Sequence, residues 1–452
     1  MMKKGVLITL VTILILLAFC LRPVDYTPYF ETAYYKTTIH RLSQLVEEVH
    51  VSSGSTLEVG AGKAPIIPSG STPLAGYIDR LGQPATGVHD SLFTRAIALK
   101  SADAKVVLIS LDALIVNRKL AEAVMAQLPP SLGLQRHQVL FSATHTHCGP
   151  GAWGDSFLEE KFAGKYNQTT FDFLADQMAK AIEQACMNLK PAKAGFGSMN
   201  LPQYVKNRLV KDKGLVDPEF SYALFQQTQG QTIILGSYSA HAVTLSERIR
   251  QFSGDYPGYW VRRIESRFPG MAVFFAGGVG SHGPCGRLRE FRQAEWMGTA
   301  LADSISQALT QLRLGQSFPL LAMGLVVELP QPHIRITDGW RLAPFLTKKL
   351  LKEKNTYLQL ITLGKTFIIG TPGDFSGELA SELKDYAYRK GYRAILTSFN
   401  GSYVGYILPS KYYHLDNYES RLMSFYGPTM GDYIPDVIRR MMDVAMKKMS
   451  NL

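Results

Sequence analysis

Short apolar runs alternate with longer stretches of helical periodicity along most of this 452-residue chain. Runs of β-branched and other apolar residues, each ending at or beside Gly, Ser or Thr, predict strands over residues 106–110, 138–143, 232–239, 272–276, 367–370 and 394–398. Apolar residues at helical spacing predict helices over residues 169–189, 290–312, 378–390 and 433–449. Strands that alternate with helices favour an α/β fold, which we expect to be a single large domain with a mixed central β-sheet flanked by helices.

The first residues of the chain have a different pattern from the rest. Lys3 and Lys4 precede an uninterrupted apolar run over residues 5–21. Basic residues followed by an apolar segment of this length are typical of a helix that spans, or nearly spans, a bilayer. Neither an A-x-A cleavage site nor a lipoprotein signal fits the end of the run. We therefore expect an uncleaved membrane-anchor helix within residues 1–25, with the two lysines inside and the rest of the protein exported.

Two further divisions follow this predicted anchor. Residues 34–50 have the pattern of a short helix, so residues 26–55 are expected to form a juxtamembrane spacer. A Ser/Gly patch at residues 52–55 then opens the main domain, which is expected over residues 56–452. No internal repeat, low-complexity stretch or break in composition divides that domain further.

Composition narrows the class of protein without specifying its chemistry. The apolar fraction of 46% is ordinary for a globular protein. The formal charge of +11 comes from scattered lysines and arginines, which favours a soluble basic surface over a dedicated site for anionic lipid or polymer. No basic and aromatic signature of nucleic-acid binding occurs, so no nucleic-acid partner is expected. The four cysteines include no C-x-x-C pair, which argues against a zinc ribbon or a thioredoxin-type site.

The most informative motif lies directly after a predicted strand. Thr144, His145, Thr146 and His147 follow residues 138–143 and precede a Gly-Pro-Gly turn. In extended backbone, residues two apart point to the same side, so both imidazoles would face one site. Imidazole is a ligand that suits zinc. The alternative is a pair of surface histidines on a turn, but the flanking Ser, Thr and Gly-Pro-Gly residues favour a functional site.

Other segments contain candidate residues to which their immediate sequence assigns no role. His241 follows a predicted strand and fits a core histidine as well as a ligand. Asp374 precedes a predicted helix, where helix capping alone accounts for a carboxylate. Tyr403 and Tyr406 follow another strand, and tyrosines at strand ends usually pack. The G-A-G-K segment at residues 60–63 lacks both the spacing and the following hydroxyl residue of a phosphate-binding loop.

Motifs distributed along the chain resemble, in order, those of the neutral, non-lysosomal ceramidase family. The most specific is S-A-T-H-T-H at residues 142–147 with G-P-G at 149–151, which is close to the family's S-A-T-H-T-H-S-G-P-G. The others are V-G-A-G-K-A at 59–64, G-Y at 76–77, T-G-V-H at 86–89, N-R at 207–208, A-H-A-V at 240–243, S-G-D at 253–255, P-G-D-F at 372–375, Y-V-G-Y at 403–406, Y-E at 418–419 and Y-G-P at 426–428. They cover nearly the whole predicted domain.

The resemblance implies an enzyme that hydrolyses an amide with a zinc ion, Zn2+. According to this resemblance, the residues that correspond to the family's zinc ligands are His145, His241, Asp374 and Tyr406, with Asp374 in place of the family's glutamate. Zinc lowers the pKa of a bound water and polarises the amide carbonyl, so no protein nucleophile is required.

The same resemblance assigns three further residues to the reaction. His147 would be the proton shuttle to the leaving amine. Arg208 and Tyr418 would contact the substrate amide and the developing oxyanion. The expected partner is a lipid or another small amide substrate, which would suit a domain held at a membrane.

Two departures from the family affect the expected substrate. The family's G-D-V-S-P-N corresponds here to G-S-H-G-P-C at residues 280–285, which places Gly283 at the serine position and leaves Ser281 and His282 out of register. The family's C-terminal Ig-like domain has no counterpart in this sequence. Three alternatives follow: a ceramidase, a zinc hydrolase of the same fold for another N-acyl amide, and a membrane-anchored binding protein without turnover. The retained histidines, acid and tyrosine argue against the last.

Overall fold

The structure, a computed structural model, describes residues 4–6, 9, 12, 19–348 and 350–451. Lys3 and most of the apolar run over residues 5–21 lie outside the described residues. Within the described part of the chain, no helix is both long and apolar enough to cross a bilayer.

Two mixed β-sheets form the centre of the structure. In chain order, the strands begin with β1 (Leu21–Pro23), β2 (Ser52–Ser53), β3 (Leu57–Pro65), β4 (Gly87–Val88), β5 (Phe93–Ser101), β6 (Ala104–Leu111), β7 (Val139–Ala143), β8 (Lys190–Asn200), β9 (Val205–Asn207), β10 (Glu219–Gln227) and β11 (Thr232–Tyr238). They continue with β12 (Gln251–Phe252), β13 (Gly270–Ala276), β14 (His282–Pro284), β15 (Pro319–Glu328), β16 (Trp340–Leu342), β17 (Asn355–Leu363), β18 (Thr366–Gly370), β19 (Asp374–Phe375), β20 (Arg393–Thr397) and β21 (Tyr406–Ile407).

The larger sheet has the strand order β13-β11-β10-β8-β3-β5-β6-β7, and the smaller has the order β2-β15-β17-β18-β20. Parallel pairing joins β6 to β7, β11 to β13 and β18 to β20. The other neighbouring strands in both sheets are antiparallel. Both sheets are therefore mixed.

The helices cover the outer faces of the two sheets. They are α1 (Ala33–Glu48), α2 (Arg118–Gln127), α3 (Phe157–Ala163), α4 (Gln168–Met187), α5 (Asp255–Arg267), α6 (Glu290–Thr310), α7 (Pro344–Thr347), α8 (Gly377–Arg389) and α9 (Met430–Met449). Helix α4 packs on β3 and β5, and α5 and α6 pack on each other with α5 against β13. Helices α1, α8 and α9 cover the smaller sheet.

Apolar side chains join the two sheets face to face. Leu140 and Phe225 of the larger sheet meet Ile368 and Ile395 of the smaller in one buried cluster. The predicted α/β class, the large mixed sheet and its flanking helices are confirmed. The second sheet differs from the expected single central sheet. Strand pairing joins residues that are far apart in the chain. Local periodicity therefore does not show into which sheet a strand pairs.

The helix predicted within the spacer is α1, and it packs on the domain. Leu42 is buried in the apolar layer beneath the helix. Thr38 Oγ1 lies 2.8 Å from Tyr433 OH of α9, and Arg41 pairs with Glu328 of β15 at 2.7 Å. Helix α1 is thus part of the helical layer over the smaller sheet. The division between spacer and domain stays a prediction.

The G-A-G-K segment lies where α4 approaches the larger sheet most closely. A Cβ added at Gly60 would lie 2.0 Å from the carbonyl oxygen of Ala185, and one at Gly62 would lie 2.1 Å from that of Ala181. Backbone atoms of a packed helix cannot move singly, so any larger residue would push the helix from the sheet. This contact explains the two glycines, a role that the sequence did not indicate.

We expect Gly60→Ala to lower the free energy of unfolding by about 1–3 kcal/mol, the usual cost of overpacking a core. Gly339→Ala is the matched control, because a Cβ at Gly339 meets no atom within 4 Å. Denaturant unfolding followed by circular dichroism measures both variants. Equal unfolding midpoints would show that α4 moves away from β3 without cost.

Candidate metal site

The loops that follow β7, β11, β13, β18 and β20 meet at one end of the two sheets. Side-chain and backbone hydrogen bonds hold these strands together: the hydroxyls of Ser142 on β7 and Thr397 on β20 lie 2.5 Å apart. Ser398 N donates to Ala276 O of β13 at 2.8 Å. Every loop named leaves the carboxyl end of its strand, the end at which α/β sheets place their sites.

His145 lies two residues beyond β7 and is held from two sides. Its backbone is left-handed, with φ at 60°, a conformation that a residue with a side chain keeps only when its surroundings enforce it. Its Nδ1 lies 2.7 Å from the carbonyl oxygen of Leu114, so Nδ1 carries the proton and the lone pair of Nε2 is free. The ring of Phe399 stacks on the imidazole with centroids 4.2 Å apart. Both contacts fix Nε2 in the orientation of a metal ligand.

Three imidazole nitrogens face one another at the centre of the site. His241, three residues beyond β11, has its Nε2 2.9 Å from Nε2 of His145 and 2.9 Å from Nε2 of His147. All three side chains are buried. Burial first, and cationic neighbours second, lower the pKa of His147 and His241 well below the usual range. Neutral imidazoles packed this closely are a donor set that suits a transition metal ion.

Asp374 brings a carboxylate to the same point. Strand β19 pairs in parallel with β21, which sets Asp374 opposite Tyr406. Its Oδ1 lies 3.3 Å from His145 Nε2, while its Oδ2 accepts a hydrogen bond from Tyr403 OH at 3.0 Å. Oδ1 is buried and receives no hydrogen bond. A buried carboxylate oxygen without a donor is costly, so a cation at this point would stabilise it.

Arg208 connects the histidines to Tyr406. It follows β9, which pairs with β14, and its Nη2 lies 3.1 Å from His241 Nδ1 and 3.1 Å from Tyr406 OH. Its Nη1 lies 3.4 Å from Glu419 Oε1. Burial and the carboxylate of Asp374 raise the pKa of Tyr406 well above its usual value. A cation beside the phenol would favour its ionised form and so act in the opposite direction.

Tyr418 lies at the solvent-exposed edge of the site. Its side chain is 45% exposed, and its ring centroid is 6.2 Å from that of Tyr406. Partial burial, with the carboxylates of Asp374 and Glu419 nearby, raises the pKa of Tyr418 to about 12. The hydroxyl therefore keeps its proton at neutral pH and can donate a hydrogen bond.

Ser281 and His282 are engaged in a buried network. Ser281 Oγ lies 2.8 Å from His282 Nδ1 and 2.7 Å from Ser376 Oγ. His282 Nε2 accepts a hydrogen bond from Asp217 N at 2.8 Å, so its proton is on Nδ1 and is donated to Ser281. Both side chains are fully buried. Neither has a free polar atom with which to replace the family's serine.

The seven residues singled out from the sequence lie in one region. Contacts connect His145, His147, His241, Asp374, Arg208 and Tyr406, and Tyr418 lies beside Tyr406.

Four contributors to the site were not predicted. They are Phe399, the Leu114 carbonyl, Tyr403 as a donor to Asp374, and Arg80, whose Nη1 donates to the carbonyl oxygen of His147. A backbone carbonyl leaves no trace in a sequence. The Y-x-x-Y spacing was the one signal that Tyr403 offered.

Comparison with known proteins was made for both the sequence and the fold. The family model "Neutral/alkaline non-lysosomal ceramidase, N-terminal" matches residues 57–278, which include both histidines of the T-H-T-H motif, Arg208 and His241. The neutral ceramidase of Pseudomonas aeruginosa is 23% identical over 245 residues, which are 50% of this chain and 36% of that protein. The neutral ceramidase of Mycobacterium tuberculosis is 24% identical over 240 residues, which are 49% of this chain and 37% of that protein. The aligned part thus spans little more than a third of either relative.

The fold match extends further along the chain than the sequence match. The crystal structure of neutral ceramidase from Pseudomonas aeruginosa superposes with a TM-score of 0.73 and 20% identity, over 87% of this chain and 75% of that chain. A structure of a ceramidase complexed with C2 gives the same TM-score at 18% identity. At these identities the likeness shows the fold. Residues 57–278 thus match the N-terminal domain of the neutral/alkaline non-lysosomal ceramidase family, in agreement with the resemblance found in the sequence.

Proposed function

We propose that this protein is a zinc-dependent amidohydrolase that cleaves the N-acyl amide of ceramide or a related lipid. The observation that carries the proposal is the buried donor set. The Nε2 atoms of His145, His147 and His241 lie together, and the unpartnered Oδ1 of Asp374 lies 3.3 Å from Nε2 of His145. Imidazoles with one carboxylate are typical ligands of zinc in hydrolases. The family match, and relatives named neutral ceramidases, support the amide of ceramide as the substrate class.

The proposed zinc ligands are His145, His241, Asp374 and Tyr406. A zinc ion bound there would supply a Lewis acid for the amide carbonyl and a water of lowered pKa. To bind the metal, Tyr406 must lose its proton. Arg208 donates a hydrogen bond to Tyr406 OH and would favour this phenolate form. A competing ligand set consists of the three histidines, since their ligand atoms all lie within 4.8 Å of one another.

His147 is proposed to carry the proton to the leaving amine. Its Nε2 faces His241, while Arg80 holds its backbone carbonyl and the ring of Tyr77 lies 4.8 Å from its own ring. A fixed, neutral imidazole can accept a proton during attack and then release it. Arg208 and Tyr418 are proposed to donate hydrogen bonds to the carbonyl oxygen as negative charge develops on it.

A second candidate function is hydrolysis of a different N-acyl amide on the same fold. A Cβ added at Gly283 would lie 3.4 Å from Arg208 Cδ, so the glycine leaves space beside a proposed substrate-binding residue. That space favours a substrate of different shape from the one that a serine there would admit. A membrane-anchored binding protein without turnover is the third alternative.

Zinc content separates the two ligand sets. We expect His145→Ala and Asp374→Ala to lose zinc, because the remaining groups no longer complete the shell. His147→Ala and Arg208→Ala should keep it, as should His40→Ala, a control at an exposed position on α1. Metal analysis of the purified variants measures this, and added zinc should raise the Tm only of proteins that bind it. Equal zinc loss in the two histidine variants would favour the three-histidine set.

Turnover separates the proton shuttle from the ligands. With zinc retained, His147→Ala should slow amide hydrolysis by a factor of about 10² to 10⁴. Tyr418→Phe should lower kcat more than it raises KM, because its hydrogen bond would strengthen in the transition state. Fatty acid released from ceramide and from other N-acyl amides is the readout. Full activity in His147→Ala removes it from the mechanism, and a zinc-loaded wild type that cleaves none of the amides favours a binding protein.

We propose further that residues 1–25 anchor the protein in a membrane, with the domain over residues 56–452 on the extracytoplasmic side. The basic residues and the apolar run that follows them support this orientation. The full chain should fractionate with membranes, and protease added to cells stripped of any outer barrier should digest the domain. A domain that stays protected in intact cells and is digested after lysis would overturn the orientation.

A further inference from the structure

A group of large apolar side chains is exposed near the amino-terminal end of the described structure. These residues, which we call the apolar rim, are 36–60% exposed: Phe19, Ile336, Trp340, Phe345, Leu346 and Leu350. Single exposed apolar residues are ordinary on a soluble protein. A contiguous group of them marks a surface that docks against a protein or a membrane.

The apolar rim is one connected surface. Strand β1 pairs with β16 in antiparallel register, with Pro23 opposite Trp340. The rings of Phe19 and Phe345 lie 5.0 Å apart. Because β1 begins at Leu21, the last residue of the apolar run over residues 5–21, that run ends at the rim itself.

Basic side chains accompany the apolar ones. Lys348 and Lys352 are exposed in the segment that carries the rim, and Arg22 is exposed on β1. Asp338, the carboxylate at the tip of the hairpin before β16, pairs with Arg335 at 3.1 Å. Aromatic and aliphatic groups bordered by lysine and arginine match the interface of a bilayer that contains anionic lipid.

The loop over residues 413–422, which ends in a short π-helix at Tyr418–Leu422, contacts both the rim and Arg208 of the candidate site. At one end Arg421 Nη2 donates to the carbonyl oxygen of Ile336 at 3.2 Å. In the same loop, Glu419 Oε1 lies 3.4 Å from Nη1 of Arg208. The same segment therefore contacts both the apolar rim and a residue of the candidate site.

We propose that the apolar rim inserts into the headgroup boundary of an anionic bilayer and so turns towards the lipid the side of the domain on which residues 413–422 lie. The rim shares Phe19 with the predicted anchor over residues 1–25, but its other members lie in residues 336–350, and the anchor alone would tether the chain without orienting the domain. Its consequence for catalysis rests on the proposed function: a substrate with a long acyl chain would reach the site without fully entering water. The membrane contact itself requires no catalysis.

Tryptophan fluorescence of the full chain tests the contact. Trp153 and Trp260 are fully buried, whereas Trp340 is 49% exposed on the rim and Trp296 is 39% exposed on α6. The protein is bound to phosphatidylcholine and phosphatidylserine vesicles with brominated acyl chains, which quench only nearby indoles. We expect wild type to be quenched, Trp340→Phe to lose most of the quenching and the matched variant Trp296→Phe to retain it.

Three results would overturn the proposal. If Trp340→Phe is quenched as strongly as wild type, a different tryptophan lies at the lipid. Wild type that floats with the vesicles unquenched is tethered without rim contact, and a blue shift of its emission in that case indicates a protein covering the rim. Equal quenching in vesicles without phosphatidylserine would refute the anionic preference. Quenching that is the same in zinc-free protein supports the contact independently of the proposed reaction.

Discussion

Contact between the two mixed sheets brings together the proposed metal ligands of the candidate site. Leu140 and Phe225 pack against Ile368 and Ile395, so the carboxyl ends of strands from both sheets reach the same edge. His145 and His241 come from loops of the larger sheet, whereas Asp374 and Tyr406 come from segments that follow strands of the smaller one. A site built from both sheets exists only while their apolar faces stay together. The geometry of the site therefore depends on the packing of the core.

The site contains features that lower the stability of the folded protein. His145 and Phe399 both have left-handed backbone, with φ at 60° and 64°, and their rings stack on each other. Asp374 Oδ1 is buried without a donor. Strain and unpaired polar atoms persist where the surroundings enforce them, and they concentrate at functional sites. A bound cation would offset the electrostatic part of this cost.

The same loop contacts the apolar rim and the candidate site, although the two regions have opposite chemistry. The site is a cluster of buried polar groups, whereas the rim exposes aromatic and aliphatic groups beside lysines. The loop over residues 413–422 contacts Arg208 at one point and the hairpin before β16 at another. Orientation of the domain at a bilayer and access to the site would thus depend on the same few contacts.

The sequence by itself indicated six of the strands, five of the helices and one motif. Periodicity placed the strands that end before His145 and His241 and the long helices, because burial of one face imposes its period on neighbouring residues. The T-H-T-H segment was informative alone, although its backbone is not extended as expected, since His145 is left-handed with φ at 60°. His241, Asp374 and Tyr406 became candidates only through family resemblance, because each fits an ordinary structural role locally.

Tertiary structure alone decided what these elements form together. The second sheet, the tautomer that Leu114 imposes on His145, and the engagement of Ser281 with Ser376 all depend on distant partners. His145 and His241 touch at 2.9 Å although they are 96 positions apart. Local periodicity reports which face of a segment is buried, not which segment buries it. Contacts across such distances arise from the packing of whole sheets, and they could be known only once the chain was folded.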